Sequence, residues 1–309
     1  MMRLYKFILL LFSLCIAGCV LSKQTVHVPL NAEKPFAYPG LNQIVAFDSR
    51  VFSGSKPVGR LGMKTLRSMG VDTIICVDGV APDVNNATLF NINTIHIPLK
   101  YISPSKEQVL DLATALNTGQ QNGKVYIHCH HGKHRSAAAA AVALLALGQS
   151  DVKSMTAKMR ISQTSSHYKG LWDAVNNQTK IDPLSILANN KKMPAAVKPE
   201  GITLQMIAID EAMDRLQLLQ RNNWTTPKTH PDLAPASDAG LISEVLRQMQ
   251  LSDDINQFAL DYETKMINAL HHANSLEEAV NENLSTHELN QFMNRLEQSC
   301  INCHDAFRQ

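Results

Sequence analysis

Aromatic residues make up only 6% of this 309-residue chain. No basic stripe is interleaved with them, so nothing points to nucleic acid as a partner. Long apolar runs are missing too. The stretch Phe7–Ala17 is apolar but falls short of the roughly 20 residues that span a bilayer. The six cysteines, at 15, 19, 76, 129, 300 and 303, are not the even, spread set of a disulfide-stapled domain. Cys300 and Cys303 have no second ligand pair at zinc spacing, which argues against structural zinc.

Charge of one sign is scarce in each half. Residues 1–199 hold 22 Lys+Arg against 10 Asp+Glu, giving +12, and residues 200–309 hold 7 against 17, giving −10. The overall +2 is therefore the remainder of two opposed units, and the length also suits about two domains. A basic first unit suits an anionic substrate.

What is present centres on residues 124–147. Val125–Ile127 is short, apolar and β-branched, as a buried strand should be. Ser136–Leu147 is almost entirely Ala, Val and Leu, which predicts a helix buried on most sides. Between them lie Cys129, His130, His131, Gly132, Lys133, His134, Arg135 and Ser136. A loop entering a helix N-terminus offers backbone N–H groups and partial positive charge to an oxyanion. Arg135 adds a bidentate fork, Gly132 the freedom to curl around an anion, and Cys129 a nucleophile.

The run His128-Cys129-x5-Arg135-Ser136 resembles the signature loop of the cysteine-dependent protein phosphatases, tyrosine and dual-specificity. The segment Ser53–Gly59 and the stretch Leu66–Gly79 look like the opening of dual-specificity-type domains. The resemblance implies Cys129 as nucleophile, loop residues 130–135 as the phosphate cradle, and Ser136 as helper of thiolate departure. It implies a loop-ordering His128. Cys76, on the strand Val71–Val77, takes the place of a cysteine that in some relatives forms a reversible disulfide with the nucleophile. The helix from Leu61 capped by Gly70, the strand Thr94–Pro98 and the helix Lys106–Leu116 complete an alternation that predicts an α/β domain over 36–180, its parallel sheet flanked by helices. One part is missing. The loop Ile97–Glu107, where such phosphatases usually carry an acidic proton donor, has no aspartate; Asp78, Asp83 and Glu107 are the candidates. The four loop residues His130, His131, Lys133 and His134 predict a strongly cationic rim.

Residues 181–200, rich in Pro, Asn and Lys, read as a linker. Beyond it, helical stripes run through Ile202, Met206, Ile209, Met213 and Leu216; Leu241, Val245 and Met249; Ile255, Phe258, Tyr262, Met266 and Ala269; and, after a Ser285-x-x-Glu288 capping box, Leu289, Phe292, Met293 and Leu296. Together they predict an all-α four-helix bundle over 201–309. The last helix ends in Cys300-x-x-Cys303-His304, the attachment pattern of c-type haem. Its placement resembles the cytochrome c′/c-556 family. That resemblance implies one covalent haem c on Cys300 and Cys303, His304 as iron ligand, Met206 as candidate sixth ligand and Arg308 near the haem edge.

At the N-terminus, Arg3 and Lys6 precede the apolar run, and Ile16-Ala17-Gly18-Cys19 resembles a bacterial lipobox. This implies removal of residues 1–18, lipidation of Cys19, a tether over 19–35, and a periplasmic protein held by lipid to the outer membrane. The expected function is hydrolysis of a phosphate monoester, on a phosphoprotein or a small ester, beside a haem module for redox or gas response with a periplasmic redox partner. The alternative is a haem electron-transfer or sensor protein whose phosphatase-like domain only binds anions.

Overall fold

The computed structural model describes residues 26–198, 201–228, 230–231, 233–252 and 260–307. The leader, Cys19, Ile255, Phe258 and Arg308 lie outside them. Among the described residues, no helix is long and apolar enough to cross a membrane.

Six strands form one sheet: β1 (Phe36–Tyr38), β2 (Leu41–Ala46), β3 (Val51–Gly54), β4 (Val71–Cys76), β5 (Asn93–His96) and β6 (Lys124–His128), in the order β1-β2-β3-β6-β4-β5. The sheet is mixed: the four strands that alternate with helices are parallel, as expected, and an antiparallel edge is added to them. β1, β2 and β3 pair antiparallel, while β3, β6, β4 and β5 run parallel. The reason is local: tight turns join the first three strands. In the second turn Asp48 Oδ1 accepts the N–H groups of Arg50 and Val51, both at 2.6 Å.

Helices α1 (Gly59–Met69) and α2 (Val84–Leu89) cover one face, burying Leu66, Ile74, Phe52 and Tyr126. Gly70 ends α1 at φ +81, its N–H reaching Arg67 O and Leu66 O. The other face carries α3 (Lys106–Asn122), which opens on a Ser105/Gln108 capping box, and α4 (Arg135–Ala146). Every residue of α4 is buried; its alanines let α3, α5 (Val152–Ile161) and α6 (Lys169–Asn176) pack close. β6 and α4 therefore hold the loop between them from the middle of the sheet and the middle of the core.

The expected linker is not loose. It forms α7 (Pro183–Ala188), with Asp182 as cap and Ile186 buried. It then lies along the β5 edge, where His96 N–H donates to Pro194 O at 2.9 Å and Val197 N–H to His96 Nδ1 at 2.9 Å. The first of these bonds occupies a backbone donor at the end of β5, and the second ties the segment to a β5 side chain.

Helices α8 (Ile202–Arg221), α9 (Pro235–Gln250), α10 (Leu260–Asn281) and α11 (Thr286–Phe307) follow, each packed on the next. Ile209, Leu216, Val245, Met249, Tyr262, Met266, Leu289, Met293 and Leu296 are buried as their periodicity predicts. Their apolar core is continuous with that of α3 and α4. Polar bonds also cross the seam: Tyr168 donates to Glu277 of α10 at 2.7 Å.

Candidate active site

Cys129 leaves the end of β6 and turns into the N-terminus of α4. The loop curls tightly because Gly132 adopts φ +78, and a Cβ there would run into the backbone of Gly54 and Ser55. The curl brings the Gly132 N–H to 3.3 Å from Cys129 Sγ, and Ser136 Oγ to 3.4 Å from the same sulfur. Ser136 is held in turn by Ser53 Oγ at 3.1 Å. The rest of the loop is anchored through main-chain carbonyls, His130 O accepting from Lys56 N–H at 3.1 Å and Lys133 O from the Thr164 hydroxyl at 2.6 Å. Of the loop amides, the Gly132 N–H faces the sulfur.

The rim is less cationic than its composition predicts. Burial pushes His128 down to about 4 and His134 to about 3. Burial and then the Arg247 charge push His130 to about 3 and His131 to about 4. All four are neutral near pH 7. His128 Nδ1 lies 3.3 Å from Cys129 O, and His134 Nδ1 accepts the Ser165 N–H at 3.3 Å, so both order the loop.

Arg135 is 1% exposed. Its Nη1 donates to Leu99 O at 3.1 Å and pairs with Glu244 of α9. Its Nη2 donates to Asp78 Oδ1 at 3.1 Å and to Tyr101 OH at 3.3 Å. Nε has no partner among the described residues. Burial opposes the guanidinium charge, but Glu244, Tyr101 and Asp78 outweigh it and keep Arg135 protonated. Asp78 is bracketed by two cations. Burial would raise its carboxyl, yet Arg135 and then Arg247 hold it well below the usual carboxylate range. It orients Arg135 and is ionised, a poor state for donating a proton. Asp83 caps α2 by accepting the Asn86 N–H at 3.0 Å, and Glu107 pairs with Lys191 at 3.2 Å in solvent. Cys76 Sγ sits 3.5 Å from Val80 O; burial, then the Asp78 charge, pushes its thiol well up.

Residues 40–180 match the family model described as "Swiss Army Knife protein, DSP-PTPase phosphatase domain". The match supports the dual-specificity phosphatase family for this half of the chain. Among solved structures, TpbA of P. aeruginosa is 18% identical over 46% of this chain and 96% of its own, with a TM-score of 0.36. Human DUSP28 is 16% identical over 47% and 95%, at 0.37. A TpbA variant in complex with pTyr is 17% identical over 48% and 98%, at 0.34. At these scores the likenesses carry no weight of their own. No curated protein matches the chain.

Glu244 and Arg247 were not legible as members of a dual-specificity phosphatase site. They lie in the other half of the chain, and one signal could have found them: Glu244 falls inside the apolar stripe of Leu241 and Val245, where a carboxylate needs a buried partner.

Cys300 and Cys303 lie one turn apart on α11 as free thiols, and His304 beside them is exposed. α8 and α11 run antiparallel, with Gln217 bonded to Glu297 at 2.9 Å, Gln220 to Asn294 at 3.3 Å and Trp224 to Asn290 at 2.8 Å. Extending that register brings Met206 level with the end of α11, about one helical turn past His304. The donor set fits a haem: two unpaired thiols at thioether spacing, a ring open to solvent, and a thioether side chain on α8 about one turn beyond that ring. Among the described residues, no group of three or more His, Cys, Asp or Glu side chains could hold a bare metal ion.

Proposed function

We propose that this chain is an exported phosphatase that hydrolyses a phosphate monoester, on a phosphoprotein or small ester, through a cysteinyl-phosphate on Cys129. The observation that carries this is the cradle itself. Cys129 Sγ is met by the Gly132 N–H and the Ser136 hydroxyl at the start of α4, beside a buried, charged Arg135 whose Nε is unpartnered among the described residues. Cys129 attacks phosphorus, while Arg135 and the amides of His130, His131, Gly132, Lys133 and His134 hold the oxygens. Ser136 then supports the thiolate as water releases phosphate. p-Nitrophenyl phosphate, tested with wild type and Cys129→Ser, decides the reading: turnover lost in the variant supports it, and equal inertness of both sinks it.

In the same reading Cys300 and Cys303 bind one haem c through thioethers, His304 ligates its iron and Met206 is the candidate sixth ligand. A bound haem supplies reversible one-electron chemistry or a gas site, and a periplasmic redox partner would exchange electrons with it. Absorbance of the pyridine haemochrome, lost in Cys300→Ala/Cys303→Ala, tests attachment. Cys19 carries the lipid that tethers the mature chain to the outer membrane; membrane partitioning lost in Cys19→Ala tests that. A second reading, anion binding without turnover beside an electron-transfer or sensor haem, is favoured by the Glu244 carboxylate lying against Arg135.

A further inference from the structure

Breaking a phosphate ester leaves an alkoxide or phenoxide that departs slowly without a proton. The carboxylates that the sequence offers for the role are committed elsewhere: Asp78 to two arginines, Asp83 to the α2 cap, Glu107 to Lys191. The loop Ile97–Lys106 contributes Leu99 O and the Tyr101 hydroxyl to Arg135, but no acid.

A carboxyl does reach the site, from α9. Glu244, its side chain 8% exposed, meets Arg135 at Nη1, and its Oε1 accepts from Gln248 Nε2 at 3.4 Å. Gly79 makes room for it, since a Cβ there would strike both Glu244 and Gln248. The two ends of the Arg135 fork are thus divided. Nη1 holds Glu244, while Nε is buried and has no partner among the described residues. A phosphoryl oxygen taken by Nε and the loop amides would sit beside Glu244 without displacing it. Facing the carboxyl are Arg135, Asp78 and Tyr101 from the sheet unit, and Arg247 and Glu277 from the helices. Burial, with Asp78 adding repulsion, raises its affinity for a proton against the pull of Arg135 and Arg247. An arriving phosphate dianion acts in the same direction as Asp78.

We propose that Glu244 is the general acid of the Cys129 reaction, a catalytic residue that the C-terminal helical unit supplies to the signature loop. This rests on the phosphatase reading above. In the first step the Cys129 thiolate forms the S–P bond as the P–O bond to the leaving group breaks. The Glu244 proton passes to the departing oxygen, leaving cysteinyl-phosphate, alcohol and a Glu244 carboxylate. In the second step water attacks phosphorus, Glu244 takes its proton, the S–P bond breaks, and hydrogen phosphate, thiolate and neutral Glu244 result. The site is then incomplete without α9.

The test uses the full mature chain as wild type, Glu244→Gln and Glu244→Asp. The substrates are phenyl phosphate, whose phenoxide needs the proton, and p-nitrophenyl phosphate, whose anion leaves unaided. The expected result is a kcat/KM loss, which reports the first step alone, of about 10²–10⁴-fold in Glu244→Gln on phenyl phosphate and much less on p-nitrophenyl phosphate. Glu244→Asp, which keeps an acid, should recover part of the phenyl phosphate rate and also guards against a folding defect in the amide. Equal losses on both substrates, or a gain showing that Glu244 merely obstructs Arg135, would overturn the assignment while leaving the phosphatase reading standing. A wild type as inert as Cys129→Ser overturns both.

Discussion

Arg247 spans both carboxylate oxygens of Asp78, Nη1 lying 3.2 Å from Oδ2 and Nη2 3.4 Å from Oδ1, while Oδ1 also accepts from Arg135. One carboxylate of the sheet unit thus joins the signature arginine to α9. A phosphate-gripping side chain and a helix of the C-terminal unit are fixed through the same group.

Removing that charge should be costly. Asp78→Asn leaves buried Arg135 and half-buried Arg247 with one fewer counter-charge, and breaking the buried Arg135 pair costs about 3–5 kcal/mol. The urea midpoint should fall accordingly, and turnover should fall with it as Arg135 loses its Nη2 anchor. The pH sign follows from the depressed carboxyl. The contribution is complete above the unfolded value of about 3.9 and fades as pH drops below it. Acid unfolding should therefore begin at higher pH in Arg247→Ala than in wild type.

The loop histidines give a second pH dependence, at milder acidity. His128 and His134, at about 4 and about 3 in the folded chain, stay neutral where the unfolded chain already binds protons. Their contribution is full above about pH 6.5 and is lost as pH falls from there toward 4, at roughly 2 kcal/mol per histidine by pH 5. Urea midpoints at pH 7.5 and pH 5 measure the slope, and His128→Gln should flatten it. An unchanged slope would count against neutral, buried rings.

How far the sequence went depends on the range of the interactions. The strand, the Gly132 turn and the alanine helix are local, so the cradle around Cys129 was legible from a dozen residues. So was the Ser285/Glu288 capping box, whose Glu288 Oε2 accepts the Ser285 N–H at 3.0 Å. The antiparallel β1–β3 edge was not, because three short strands carry little periodicity. The Asp78–Arg247 and Arg135–Glu244 pairs join positions 169 and 109 residues apart, and no local pattern encodes such a meeting. Burial of the loop histidines removed their expected charge for the same reason: it depends on what Ser165, Tyr168 and Arg247 bring beside them.

Ser136 should act on the second chemical step more than the first. Its hydroxyl, 3.4 Å from Cys129 Sγ and fixed by Ser53, can donate to the thiolate as the cysteinyl-phosphate breaks. In Ser136→Ala the intermediate should accumulate, giving a burst of p-nitrophenol stoichiometric with enzyme, followed by a steady state slowed about 10²-fold. Rapid mixing reads both phases. Slow turnover with no burst would place the hydroxyl in the first step instead.

Cys76 lies opposite His128 in the β4–β6 ladder, next to the residue that carries the nucleophile. The charge of Cys129 also acts on the Cys76 thiol, which marks the two sulfurs as near neighbours. Because burial and then Asp78 keep Cys76 a thiol, it is a poor first target for peroxide. Oxidation should start at Cys129, as sulfenic acid, and Cys76 should then displace water to close the bridge. Limiting peroxide followed by non-reducing peptide mapping should yield a Cys76–Cys129 peptide and activity that dithiothreitol restores. Cys76→Ser should instead run on to the sulfinic acid and stay inactive. If wild type and Cys76→Ser over-oxidise at the same rate with no linked peptide, the two sulfurs do not meet, and Cys76 is simply a small buried side chain of β4.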